Sequence, residues 1–451
     1  MGVRAPTAGA GDGGGRRIGE ARRRGAPRHR GGVAVGARPG GEARSGLAHA
    51  PRALRLTRRP SLPDVSTTRR TRTHSLPTLA VHAGEPAHDV DAPVVTPLQQ
   101  SVSFVHEVGT ADGLRYPRYG NTPNADVVQK KLAALERAES GVVLSSGMGA
   151  TACALMALLR PGDHLLASRD IYGGTARLLT EEFTSLGINV TLVDPFEARG
   201  WRKRMRKETR AVFLESPVNP TCRVIDLRPL SYLTQESGLA LVVDSTFASP
   251  INFRPLEHGA DVVIHSTTKF LNGHHDVMGG VVLGTASYVE EVRQKMILWG
   301  QAPDPFACWL LERGLKTLDV RIRRQNENAM RIAQWCTERR EVRAVHYPGL
   351  PGHPDHEVAA EQMDGFGGMM ALELAGGGRA ADRFVRKLRL IRHAPSLGGV
   401  DSLVSEPRFT SHTHLSTEER ASRGLPDGFL RLSVGIEDAA DLIADIEHAL
   451  H

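Results

Sequence analysis

The segment DVVIHSTTKFLNGHH, residues 261–275, joins an apolar run to a hydroxyl cluster, a single lysine and a glycine-containing loop. The run VVI reads as a buried strand, so Lys269 stands where that strand empties into a pocket. A lysine there can form a Schiff base if its surroundings keep the amine neutral. Ser266 and Thr268 beside it offer hydroxyls to a phosphate. Together they suit pyridoxal phosphate with Lys269 as its covalent anchor, provided the other parts of such a site are present.

Those parts are a phosphate cradle, an acid for the pyridine nitrogen, a ring stacker and an anchor for a substrate carboxylate. The cradle is SSGMGA, residues 145–150, between a strand and a helix, where backbone N–H groups at the helix start favour an anion and glycine lets the backbone approach closely. This stretch also fits the dinucleotide fingerprint G-x-G-x-x-A, with Asp163 or Asp170 about 20 residues on. On that segment alone, pyridoxal phosphate and an NAD-dependent oxidoreductase are evenly matched.

Asp244 ends the apolar strand LALVVD and needs a cationic partner, which a protonated pyridine nitrogen provides. Tyr172, beside two glycines in DIYGGT, can lie flat on a planar ring. Asn219 in ESPVNPT can orient a ring oxygen. Arg431 in GFLRLSVG offers a fork matched to an amino-acid carboxylate, with Ser396 in APSLGG adding a hydrogen bond. Tyr116 and Arg118 in RYPRYGNTPN are two apart on an irregular arm and suit a phosphate in a neighbouring subunit's site. His274, His275, His412 and His414 lack the partners of a zinc site, so no metal is expected.

The elements that must position these groups alternate. NADVVQKKLAALERAE reads as an amphipathic helix, GVVLSS as a strand, and GMGATACALMALL as a helix stopped by Pro161 and Gly162. DHLLAS, INVTLVD, RAVFLES and LALVVDS follow as strands, with TARLLTEEFTSLG helical among them. Such alternation predicts a parallel sheet covered on both faces, with its site at the strands' carboxyl ends. After Gly284 the chain reads as mainly helical, then as a smaller α+β unit with strands VRAVHYP, GGMMALEL and GFLRLSVG and a last helix AADLIADIEHAL. The division expected is a tail over 1–74, an arm over 75–125, a large cofactor-binding domain over 126–310 and a C-terminal domain over 311–451.

The net charge of +7 is uneven. Residues 1–74 carry 17 Arg, no Lys and four acids, or +13, which leaves −6 on the rest. Basic character belongs to the tail, and the folded part is not read as a nucleic-acid binder. The tail is too poor in apolar residues to order itself, and it reads as a solvated tail or an over-extended start rather than a transit peptide. The four cysteines are far apart with no CxxC spacing, which fits a reducing, cytoplasmic setting. No apolar run reaches the roughly 18 residues a membrane span needs.

Taken in order, YPRYG, SSGMGA, DIYGGT, ESPVNPT, VVDSTFASP, the Lys269 segment, APSLGG and RLSVGIED resemble the Cys/Met-metabolism family of pyridoxal-phosphate enzymes, from about Leu79 to Ala449. The resemblance implies a fold-type-I, aminotransferase-like architecture and a homotetramer with shared sites. It implies Lys269 as Schiff-base lysine, Asp244 as pyridinium partner and Tyr172 as stacker and acid/base. Gly147, Met148, Ser266 and Thr268 would bind phosphate, joined by Tyr116 and Arg118 from the neighbouring chain. Asn219 and Thr246 would complete the cofactor contacts, and Arg431, Ser396 and Asp401 would face the substrate.

The implied activity is trans-sulfuration at Cγ, making or splitting cystathionine from an activated homoserine and cysteine. A β-lyase or a related C–S lyase or sulfhydrylase on the same scaffold is the alternative. The arm departs from the family's GNPT by reading Gly120-Asn121-Thr122-Pro123-Asn124. Asp401 stands where γ-acting members carry Glu, and Gly174 where methionine γ-lyases carry cysteine.

Overall fold

The computed structural model describes residues 74–451 apart from 87, 88, 412 and 414. The tail expected over 1–74 lies outside the described residues save for His74, as do His412 and His414.

Seven strands form the larger sheet: β1 (Ser140–Leu144), β2 (His164–Ser168), β3 (Asn189–Val193), β4 (Thr209–Glu215), β5 (Ala240–Asp244), β6 (Val262–Ser266) and β7 (Gly280–Gly284). Their spatial order is β1-β7-β6-β5-β4-β2-β3. Neighbours from β6 through to β3 are parallel, and β7 runs antiparallel to both β1 and β6. The sheet is thus mainly parallel, as expected, with one strand reversed. GVVLG was passed over because it is short and follows a loop rich in glycine and histidine. Since β7 alone is reversed, β1, β2, β4, β5 and β6 all empty at one edge.

The inner strands are mainly apolar and buried on both faces, with Val242, Val263, Leu166 and Val282 fully enclosed, whereas the edge strand β3 is largely exposed. Helices cover them on either side, and the large core divides accordingly into two apolar clusters. The helix Pro123–Glu136 starts on Thr122, whose hydroxyl accepts the Ala125 N–H, with proline at its first turn, and ends on Arg137 at φ 58°. This is what the unusual Thr122-Pro123 order does: the threonine caps and the proline opens the helix. Asn124 then holds the arm, accepting the Gln99 N–H and donating to the Pro97 carbonyl. TARLLTEEFTSLG is helical as expected but loosens after Arg177 into a π-helical stretch, Leu178–Phe183.

A second sheet of five strands is built from β8 (Val342–His346), β9 (Met369–Leu374), β10 (Arg392–His393), β11 (Leu403–Ser405) and β12 (Phe429–Ser433), in the order β10-β11-β12-β9-β8. It packs a separate apolar cluster against the long helix Leu318–Thr337 and the last helix Ala439–Leu450. β12 lies centrally, antiparallel to both neighbours, with Arg431 opposite Ala371 and Ser405. No helix among the described residues is long and apolar enough to cross a membrane.

Candidate active site

The common edge of the larger sheet collects most of the expected residues. Asp244 closes β5 in register with Ile264 of β6, two residues before Ser266. Asp244 Oδ1 accepts both the N–H and the hydroxyl of Thr246, at 3.0 and 2.5 Å. Its Oδ2 carries no hydrogen bond among the described residues. Burial raises the Asp244 pKa, and the two Thr246 donors oppose the rise. The Thr246 hydroxyl oxygen also accepts the Ser266 N–H at 2.9 Å, which ties the ends of β5 and β6 together.

The helix Gly147–Leu158 begins beside Ser266. Ser146 caps it by accepting the Gly149 N–H at 3.0 Å. A Cβ on Gly147 would stand 2.8 Å from the Ser266 Cβ and 3.0 Å from its hydroxyl. Glycine is required there for the helix start to approach the serine. The result is a concave group of N–H donors with a hydroxyl at its rim, suited to a phosphate. Thr268 is placed differently: its hydroxyl accepts the Gly279 N–H at 3.0 Å and faces that residue's carbonyl at 3.3 Å. As placed, its bonds fasten the loop closed.

Tyr172 follows β2 and is 46% exposed, so its ring borders open space rather than core. A Cβ on Gly174 would meet the Tyr172 Cε1 at 2.6 Å and the Met148 sulfur at 3.2 Å. The ring therefore lies beside the helix start, where a flat group held by that start would meet it.

Lys269 Nζ donates to Ser396 Oγ at 2.8 Å. Burial, and then the positive charge of Arg431, lower its pKa to about 8. At pH 7 about one amine in ten is then neutral, against fewer than one in a thousand for an ordinary lysine. Ser396 adopts φ 85°, an unusual backbone for serine, and turns its carbonyl to the second cation. Arg431 NH2 donates to that carbonyl at 2.9 Å and NH1 to Asn219 Oδ1 at 3.0 Å. Arg431 is 7% exposed, and its Nε is buried with no hydrogen-bond partner. Burial lowers its pKa to about 10. An arginine so enclosed, with one donor unanswered, fits an anionic ligand.

These features fit pyridoxal phosphate. An anion cradle at a helix start, an acid with a free oxygen, a ring-bordering tyrosine and a lowered lysine amine converge on one edge. Gly147, Met148 and Ser266 would hold its phosphate, Asp244 its ring nitrogen and Lys269 its aldehyde carbon.

Two expected groups are not brought to that edge within one chain. The contacts of Tyr116 and Arg118 run within the arm: Arg118 lies over both Tyr116 and Tyr119, at 5.6 and 5.9 Å. Asp401 lies further along the segment that begins at Ser396, and its carboxylate acts on His275, raising that imidazole's affinity for a proton against the larger opposing effect of burial. His275 is a residue that sequence reasoning considered only as a metal ligand. It has φ 58°, and a Cβ on Gly399 would fall 1.9 Å from its Nε2. Among the described residues no group of side chains is arranged to hold a metal.

Glu215 was missed. It ends β4 opposite Asp244, is 5% exposed, and accepts the Tyr172 N–H at 2.8 Å and the Asn219 N–H at 3.1 Å. The signal was present: like Asp244, it is an acid closing an apolar strand just before a turn.

A family model described as Cys/Met metabolism PLP-dependent enzyme matches residues 77–451. The chain is 42% identical to a cystathionine gamma-synthase of Mycobacterium tuberculosis over 376 residues, covering 83% of this chain and 96% of that one. It is 37% identical to an L-methionine gamma-lyase of Fusobacterium nucleatum, covering 84% and 99%. A solved cystathionine gamma synthase from Xanthomonas oryzae, in complex with aminoacrylate and cysteine, superposes with a TM-score of 0.80 at 39% identity, covering 84% and 98%.

Proposed function

Because the chain belongs to the Cys/Met metabolism PLP-dependent enzyme family, we propose that it is a trans-sulfuration enzyme acting at Cγ, of the cystathionine γ-synthase or γ-lyase type. Its cofactor is pyridoxal phosphate, as the family's is. The observation that carries the reading is the line Lys269–Ser396–Arg431–Asn219, which sets a lowered amine beside a buried, partly unanswered guanidinium.

When bound, pyridoxal phosphate supplies an aldehyde for the amine and a ring that withdraws electrons from the substrate's α-carbon. Arg431 takes the substrate carboxylate, and Asn219 and the Ser396 carbonyl hold the guanidinium plane in orientation. Lys269, released from Ser396, removes the Cα proton, gives it up again to regain a free amine, and then takes one from Cβ, so that the γ-substituent can leave. Asp244 sets a negative charge against the ring nitrogen, and Thr246 orients it. Tyr172 moves a proton near the leaving group.

The substrates of this reading are cystathionine, or an activated homoserine with cysteine. The assembly it implies is a homotetramer in which Tyr116 and Arg118 of one chain reach a neighbour's phosphate site. The arm supports this, since Val90, Val94, Val102, Val105 and Val108 are all exposed on it. Its setting is the cytoplasm, supported by four cysteines that are all unpaired and buried.

The test is a steady-state comparison of cystathionine cleavage with O-acyl- or O-phosphohomoserine plus cysteine. 2-Oxobutanoate from cystathionine marks the lyase, and net cystathionine formation marks the synthase. Pyruvate as the sole keto acid would contradict action at Cγ. The purified chain should be yellow and bleached by hydroxylamine.

A further inference from the structure

Glu215 is a buried acid that the mechanism above does not use, yet it touches two of its parts. One oxygen accepts the main-chain N–H of Tyr172 and the other that of Asn219. Asn219 in turn receives one arm of Arg431. The loops that carry the ring-bordering tyrosine and the carboxylate anchor are thus fastened to a single carboxyl group. That group ends β4 in direct register with Asp244 of β5.

We infer that Glu215 is a positioning residue, a neutral clamp that joins the Tyr172 and Asn219 loops while leaving Asp244 as the charged member of the pair. The inference rests on the pyridoxal-phosphate reading of the site and extends it to a residue outside the reacting groups.

The charges support neutrality. Two carboxylates at the ends of adjacent strands, Glu215 buried and Asp244 half-buried, cannot readily ionise together. Burial, and secondly the charge of Asp244, hold Glu215 well above the usual carboxylate range, while its two N–H bonds and Arg431 pull the other way. Asp244 is also raised by burial, but the Thr246 donors and His265 favour its ionised form. The groups facing this pair are Asp244 from β5, Arg431 from β12, Tyr172 from the loop after β2 and His265 from β6, with Cys222 and Lys269 acting on Arg431 and beside it. Glu215 is the more deeply buried of the two, at the enclosed end of β4 beside the half-buried end of β5, so the proton of the pair falls to Glu215.

The experiment uses the full chain freed of cofactor and titrated with pyridoxal phosphate, comparing wild type, Glu215→Gln and Glu215→Asp. Wild type should show a step in cofactor absorbance above the ordinary carboxylate range, as Glu215 loses its proton beside Asp244. Glu215→Gln should lose that step. It should also bind the cofactor about tenfold more weakly, because its amide turns N–H against one of the two N–H donors. Thermal melting of the cofactor-free variants reports on folding independently. Should the glutamine variant fail to fold, Glu215→Asp keeps a titrating carboxyl one methylene shorter and should keep the step with weaker binding.

A glutamine variant that retains the step and the affinity overturns the inference, as does one that loses affinity with the step intact. If only the aspartate variant folds, unchanged binding overturns it. Wild type that takes up no pyridoxal phosphate overturns the family reading and this inference together. Normal uptake with an indifferent Glu215→Gln overturns this inference alone.

Discussion

The seven-stranded sheet presents its reactive side chains at strand ends, whereas the five-stranded sheet presents Arg431 from the middle of β12. The first arrangement lets loops vary around fixed strands, and on the proposed reading it gathers groups that address a cofactor. The second sets one cation by strand register, with neighbours on both sides, and on that reading addresses a substrate. Edits to the first region should therefore alter cofactor capture and turnover, and edits to the second should alter substrate affinity.

The sharpest break is Lys269→Ala, expected to lower kcat by about 10³-fold or more while leaving the melting of the cofactor-free chain near wild type. Next is Arg431→Lys, which keeps the charge but loses the fork. It should lower kcat/KM about 30-fold, mostly through KM, as roughly 2 kcal/mol of charge-assisted hydrogen bonding is lost. An equal fall in kcat would blur the division between the sheets.

Arg431→Leu sharpens it through pH. Below its pKa the Lys269 amine is protonated and cannot attack an aldehyde, so capture of pyridoxal phosphate should rise with pH through about 8 in wild type. Removing the neighbouring cation should move that midpoint upward. The move should be partial, since burial is the larger cause of the lowering and persists. Gly174→Ala should cost a few-fold in kcat, because its methyl would press on the Tyr172 ring from 2.6 Å. The smallest effect is on the arm's anchor: Thr122→Ala removes a helix cap and should lower stability to urea by about 1 kcal/mol.

The strand-end groups were legible because an apolar run followed by a polar residue and a turn marks both the element and the edge at which it ends. Asp244, Ser266 and Lys269 could be placed on one edge in that way. Glu215 carries the same mark and was read only as part of its strand. Arg431 was harder, since a strand arginine reads equally well as exposed, and only pairing with β9 and β11 encloses it. β7 was missed because it is short and follows a glycine- and histidine-rich loop, and its reversal shows only in its pairing with β1 and β6. The role proposed for the arm involves a second chain, and no periodicity within one sequence encodes that.

The reversed strand has a mechanical consequence. Because β7 returns alongside β6, the loop bearing Lys269 leaves and rejoins the sheet at the same edge, where the Thr267 N–H meets the Gly279 carbonyl at 3.0 Å. The lysine's main chain is thereby a fixed pivot, and its four methylenes are the only moving arm. Relocating a proton from one carbon to the next then asks for rotamer hops rather than backbone rearrangement, on a timescale of picoseconds to nanoseconds where the side chain is unhindered.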